Sequence, residues 1–253
     1  MEKYGKKRKG AKSLFAFQGS ISDISHEKMT MSDRPMKNTP GTLVIHEIFH
    51  SLQGESSRAG LPCVFVRLTY CNIRCSYCDT EYAFHEGKEM TIDQILAVVR
   101  GYGCNLVEVT GGEPLFQENV HPLLTRLCDE GFEVLVETGG SLDISPVDSR
   151  VRQIVDFKGP SSGMMKKNLW ENVRHLKETD EVKFVIGDRE DYDWARARIA
   201  EHRIGERSPI LMSVVFGKLE PAELAGWILA DKLTVRFQLQ MHKFVWHPET
   251  RGV

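Results

Sequence analysis

The sequence predicts an α/β fold, a single domain built on an incomplete parallel (β/α) barrel of about six strands. Three observations predict it. Short apolar runs rich in Val, Ile and Phe recur along the chain, amphipathic segments lie between several of them, and residues with chemical character fall just after the runs. Strand, helix and strand in alternation mean parallel pairing with right-handed crossovers. The βα loops of such a barrel collect at its C-terminal mouth, where a site is expected. A chain of 253 residues is long enough to bury a substantial core.

The strand candidates, in order, are Val64–Leu68, Leu106–Thr110, Glu133–Glu137, Gln153–Phe157, Glu181–Ile186, Ile210–Val215 and Val235–Gln240. The clearest helix is Thr91–Arg100, with Ile92, Ile95, Leu96 and Val99 on one face. Thr91 and Gln94 have capping-box spacing, which fixes where that helix starts. Glu220-Pro221 opens another helix, with Leu224, Trp227 and Ile228 on its buried side. With no internal repeat and no second hydrophobic unit, residues 41–253 read as one domain. Residues 1–40 read as a disordered or loosely ordered extension, with a basic stretch from Lys3 to Lys12 and no sustained period. Met29, Met31 and Met36 offer alternative starts.

Composition narrows the classes. Apolar residues make up 41% and charged residues 27%, a soluble globular balance. A net charge of −2 gives no signature for nucleic acid or an anionic membrane, and no aromatic or repeated pattern turns the basic N-terminus into a nucleic-acid arm. No apolar run reaches the roughly 18 residues of a spanning helix, and the N-terminus lacks an apolar signal core. The cytoplasm is the expected compartment.

Of six cysteines, Cys71, Cys75 and Cys78 fall in one short segment directly after the first barrel strand. A disulfide framework is not expected in a non-secreted chain of this size. The spacing C-x3-C-x2-C wraps one loop around an iron–sulfur cluster, each thiolate on a different iron. Three ligands on four irons leave one iron open, as catalytic metals require. A zinc site with His85 as fourth ligand is the plainer alternative, although paired zinc knuckles show two separated C-x2-C halves. Cys63, Cys104 and Cys128 read as buried or semi-buried small residues.

With Tyr77 just before the third cysteine, this segment resembles the radical S-adenosylmethionine superfamily signature. Thr110-Gly111-Gly112-Glu113-Pro114, after the next strand, resembles a second superfamily element. Its glycines let backbone approach a ligand closely, and freed backbone groups with the Glu113 carboxylate suit the ammonium end of a bound amino acid. Further segments resemble the 7-carboxy-7-deazaguanine synthase family over residues 43 to 253. They are Glu47 to Glu55 with Leu52-Gln53-Gly54-Glu55, Phe65-Val66-Arg67, Cys78-Asp79-Thr80, Gln240 to Lys243 and the ending Thr250 to Val253.

This resemblance implies a 4Fe-4S cluster, S-adenosylmethionine and Mg2+. It implies that a 5′-deoxyadenosyl radical takes hydrogen from 6-carboxy-5,6,7,8-tetrahydropterin, whose ring contracts to 7-carboxy-7-deazaguanine as ammonia leaves, toward queuosine. No catalytic residue is implied beyond cluster and cofactor radical. Cys71, Cys75 and Cys78 would hold the cluster and Thr80 the magnesium. Tyr77, Cys78, Asp79, Gly112, Glu113 and Glu137 would face the cofactor. Leu52, Gln53, Gly54, Glu55, Arg67, Thr110, His242 and the terminal Val253 would face the pterin. Many members carry Ser-Pro-Lys after the fourth strand. Here the segment is Asp156-Phe157-Lys158 followed by Gly-Pro-Ser161, so Lys158 keeps the cation and Ser161 supplies a hydroxyl. Ser56 stands where glycine is common. Expected partners are the pterin, a second copy in a homodimer and a reductant such as flavodoxin or ferredoxin, with no nucleic acid and no membrane. Two rivals remain: a glycyl-radical activating enzyme, which would need neither Gln53-Gly54-Glu55 nor Thr80, and a non-catalytic iron–sulfur or zinc binding protein.

Overall fold

A computed structural model of the chain describes residues 35–253. The strands are β1 (Thr42–Leu52), β2 (Pro62–Leu68), β3 (Lys88–Thr91), β4 (Leu106–Gly111), β5 (Glu133–Thr138), β6 (Arg152–Asp156), β7 (Glu181–Ile186), β8 (Ile210–Val214) and β9 (Arg236–Phe237). The helices are α1 (Ile92–Gly101), α2 (Val120–Asp129), α3 (Arg189–His202), α4 (Pro221–Ala230) and α5 (His242–Val245). One sheet runs β3-β1-β2-β4-β5-β6-β7-β8-β9 and does not close. From β2 to β9 every pairing is parallel, while β1 pairs antiparallel with both β2 and β3. The expected partial barrel is thus six full parallel strands and the short β9, extended at one edge by an antiparallel pair.

The strand period of two separates two environments. Val64, Val66, Val107, Val109, Val134, Val136, Val155, Val182 and Phe184 face the helices and form the main core. α1 contributes Ile92, Ile95, Leu96 and Val99, and α2 contributes Val120, Leu123, Leu124 and Leu127. The alternate residues face the barrel interior. At its base Cys63, Phe65, Leu106, Leu135 and Ile154 form a smaller apolar cluster. Higher on the same strands the inward residues are polar: Arg67, Thr110, Glu137, Asp156 and Lys183. That change from apolar to polar marks where a cavity begins.

The capping box forms as its spacing predicts: Thr91 Oγ1 accepts from Gln94 N at 3.2 Å and Gln94 Oε1 accepts from Thr91 N at 2.9 Å. Thr91→Ala is expected to cost about 1 kcal/mol, read as a lower urea midpoint.

Two readings change. The run Val235–Gln240 pairs only over Arg236–Phe237. Its later side chains turn to other work, with Gln238 accepting from Ser56 N at 2.9 Å and Gln240 donating to Glu55 at 2.9 Å. Strands β1 and β3 lie outside the predicted set, β1 ahead of it and β3 between its first two members. In β1, Leu43 and Ile45 are buried on one face, a strand alternation hidden within a segment legible as a ligand loop. The expected loose extension over residues 1–40 lies, for residues 1–34, outside the described residues. Residues 35–40 lie against the domain, and Met36 bridges to Gln117.

Candidate active site

A cavity of about 980 Å³ opens where the parallel strands end. Its wall takes the cluster loop after β2, Gly111-Gly112 at the end of β4, Glu137 to Gly139 from β5, and Asp156 and Lys158 from β6. Lys183, Phe216, His242 and the C-terminal segment from Pro248 to Val253 complete it. Leu52, Gln53, Gly54 and Glu55 enter from the loop after β1. One cavity therefore gathers the three clustered cysteines and every expected pterin-facing residue.

Cys71 is buried with Ile73 and Phe84, and Cys75, Cys78 and Met164 pack against them. The loop is braced from behind. Arg74 Nη1 donates to the carbonyls of Cys71 and Ile73, both at 2.7 Å, and its guanidinium lies 4.1 Å from the Phe84 ring centre. Gly112 lies so close that an added Cβ would collide with the Tyr70 carbonyl and the Cys71 side chain. Burial pushes the Cys71 thiol up to about 12 and the Cys75 thiol up to about 11. Thiolates there need a neighbouring cation, which iron supplies. Among the described residues no three metal-binding side chains converge tightly enough for a single ion. A cubane instead spreads its thiolates over separate irons, so the donor set fits a 4Fe-4S cluster. The buried Tyr77 hydroxyl and Asp156 Oδ1 have no hydrogen-bond partner among the described residues, as wall atoms awaiting a ligand would.

Two expected cofactor contacts point elsewhere. The Glu113 carboxylate is fully buried and accepts from Leu115 N at 3.0 Å, Thr138 Oγ1 at 2.9 Å and Gly139 N at 2.7 Å. It ties the glycine turn after β4 to the end of β5 and is not on the cavity wall. Ser161 turns to α3, its hydroxyl donating to Asp191 Oδ2 at 2.5 Å. Its carbonyl accepts from Ser76 Oγ at 2.6 Å, bracing the cluster loop.

Lys183, Asp156 and Glu108 also stand on this wall, outside the motifs that single out the other residues. Lys183 is buried at the centre of a carboxylate group: it pairs with Glu55, with Glu137 at 2.7 Å and with Asp156 at 3.9 Å. Lys158 holds Asp156 at 2.7 Å. Burial alone would lower the Lys183 ammonium, yet Glu137, Glu55 and Asp156 together hold it well above the ordinary lysine value. Burial likewise works to raise Glu55, but Lys183, with help from Gln240 and His242, holds it below the ordinary glutamate value. Glu108 is pushed well above the usual carboxylate range by burial and by the charges of Glu137 and Glu55. The available signal was a charged residue inside an apolar strand, as in Leu106-Val-Glu108-Val and Val182-Lys183-Phe184.

On the other side, Arg67 pairs with Glu47 at 2.8 Å, and Tyr82 donates to the same carboxylate oxygen at 3.1 Å. Arg251 lies over the Tyr82 ring at 4.2 Å, which brings the chain end to the cavity. A Cβ on Gly54 would collide with the His242 ring, so glycine there lets helix α5 close on the loop after β1. Thr80 donates to Asp79 at 3.0 Å, and Lys243 pairs with Asp79 at 2.7 Å.

The radical SAM superfamily model matches residues 66–160. The 7-carboxy-7-deazaguanine synthase of Chlorobaculum tepidum is 49% identical over 219 residues, covering 85% of this chain and 100% of that protein. That of Koribacter versatilis is 46% identical, covering 83% and 99%. The crystal structure of QueE from Escherichia coli shares the fold, with a TM-score of 0.67, 22% identity and coverage of 79% of this chain and 95% of that one.

Proposed function

The chain belongs to the 7-carboxy-7-deazaguanine synthase family of radical S-adenosylmethionine enzymes, and from that premise we propose how its residues divide the work. The reaction converts 6-carboxy-5,6,7,8-tetrahydropterin to 7-carboxy-7-deazaguanine with release of ammonia, in 7-deazapurine and queuosine biosynthesis. The observation that carries this reading is a single cavity whose wall holds the three cluster thiols together with Gln53, Glu55, Arg67, Thr110 and His242.

Cys71, Cys75 and Cys78 would hold a 4Fe-4S cluster, which would supply the reducing chemistry for radical formation from S-adenosylmethionine. Gly112 offers backbone to the cofactor, and Tyr77, Asp79, Glu137 and Lys158 flank it. Glu113 and Ser161 act as positioning residues, the first by fixing Gly139 and the second by holding the cluster loop. Thr80 would present its hydroxyl to Mg2+, a hard cation that takes oxygen ligands and keeps several waters. Arg67 has the planar fork that suits the substrate carboxylate. Leu52, Gln53 and Gly54 present an edge of backbone and amide groups to the ring, with Glu55 and Thr110 beside them. His242 and Val253 close over it.

A homodimer is part of the proposal, since the open sheet leaves edges at β3 and β9. So is a flavodoxin- or ferredoxin-type reductant. Among the described residues no helix is long and apolar enough to cross a membrane. The test is anaerobic cluster reconstitution, then dithionite, S-adenosylmethionine, Mg2+ and the carboxytetrahydropterin. 7-Carboxy-7-deazaguanine is the expected product, and a fully loaded enzyme that makes none overturns the reading.

A further inference from the structure

Resting on the pterin reading above, we propose that Glu108 selects the aminopyrimidinone ring of the substrate, its carboxylate accepting from the 2-amino group and the adjacent ring N–H. Four observations lead there. Glu108 lines the cavity wall yet is only 3% exposed, midway along β4. It lies level with Phe65 of β2 and Leu135 of β5, beneath the Arg67–Thr110 pair.

Its bonding is incomplete. The other wall carboxylates of the interior have cations: Glu55 and Glu137 share Lys183, Asp156 has Lys158, and Asp79 has Lys243. Among the described residues Glu108 has no ion pair, and its side-chain partner is one N–H of the Gln53 amide. A buried carboxylate left this way is costly, and a ligand bringing N–H donors relieves the cost.

The chemistry matches. The 2-amino group and neighbouring N–H of a pterin form a two-donor edge, and a carboxylate offers two acceptor oxygens, as in its pairing with a guanidinium fork. The ligand's donors favour the ionised carboxylate.

The shape agrees. Phe49 and Phe65 line the same wall with their rings stacked, centres 5.0 Å apart and planes 12° from parallel. They give a flat ring an apolar neighbour beside Glu108. Two residues of strand rise, roughly 7 Å, separate Glu108 from the level of Arg67. A bicyclic ring can therefore place its pyrimidine edge at Glu108 and its carboxylate at Arg67.

The test compares two ligands on the reconstituted enzyme with S-adenosylmethionine under anaerobic conditions. One is the carboxytetrahydropterin. The other is its 2-oxo counterpart, in which the 2-amino donor becomes a carbonyl acceptor. Wild type is expected to prefer the pterin. Glu108→Gln is expected to weaken the pterin by roughly 30-fold, the span of a hydrogen bond to a charged group, and to tighten the 2-oxo ligand so that the preference inverts. Glu108→Asp, which keeps the carboxylate, is expected to retain the wild-type preference at lower affinity. Equal weakening of both ligands in Glu108→Gln overturns the proposal. So does a wild type that binds the two ligands equally, which needs no variant to fold. A wild type that makes no deazaguanine refutes the functional reading instead, which separates the two failures.

Discussion

Cys75→Ser is expected to leave a folded chain that neither keeps a 4Fe-4S cluster nor makes product. Three thiols on one loop are the whole protein ligand set, so losing one leaves two irons without a protein donor. Turnover should drop by at least roughly 10³-fold, because the cluster supplies the chemistry that protein side chains cannot. Cys128→Ser is the matched control. Cys128 is half-buried in α2, among the residues packed on the outer core, and is not part of the cavity wall. Iron and acid-labile sulfide analysis, the visible absorption band and product formation read both variants. Retention of a full cluster in Cys75→Ser, or its loss in Cys128→Ser, would contradict the assignment. Far-ultraviolet circular dichroism should match wild type, since the Arg74 bonds and the contact with Gly112 that brace the loop do not use the Cys75 side chain.

Lys183→Met is expected to lower the stability of the apo protein at neutral pH by about 3–5 kcal/mol, the range for removing one partner of a buried ion pair. Lys183 is 4% exposed and stands among Glu55, Glu137 and Asp156. Lys158 still serves Asp156 after the change, but Glu55 and Glu137 lose their cation. The pH dependence has a definite sign. Lys183 holds Glu55 below the ordinary glutamate value of 4.5, so that stabilisation is present above this value and is lost as pH falls through the lower folded value. The gap between wild type and variant should therefore narrow in acid. Adding Glu55→Gln to Lys183→Met should restore part of the loss at neutral pH, since the buried charge is then gone. Urea titrations of the two variants and wild type at neutral and acid pH measure this. A gap that stays the same in acid would mean that Lys183 stabilises by packing alone.

The two experiments probe parts of the site that differ in how far sequence could reveal them. The cluster loop is local. Cys71, Cys75 and Cys78 are close in the chain, so their spacing alone restricts what they can bind. The glycine turn is similar: the close approach of Gly112 to the cluster loop follows from glycines at the end of a strand beside that loop. The capping box at Thr91 and the proline at the start of α4 are equally short-range, and both form as their residue types dictate. Glu113 shows the limit of motif reading. Its position was legible, but its carboxylate bonds Thr138 and Gly139 instead of facing the cavity. The strongly charged sequence of α3 carries little apolar periodicity, with Asp191, Tyr192 and Ala195 its buried residues.

Sequence by itself determined the parallel strands from Val64 to Val214, the thiol loop and the glycine turn. These depend on hydrophobic period and on groups a few residues apart, which covalent geometry keeps together. Tertiary structure alone decided that Lys183 neutralises Glu55 and Glu137, that among the described residues Glu108 is left without a paired cation, and that Glu113 and Ser161 support the cavity from outside its wall. Such pairings cross strands, and strand register with the stagger of the barrel sets which inward side chains meet. A charged residue in an apolar strand signals an interior site, but only the folded sheet shows which opposite charge stands beside it.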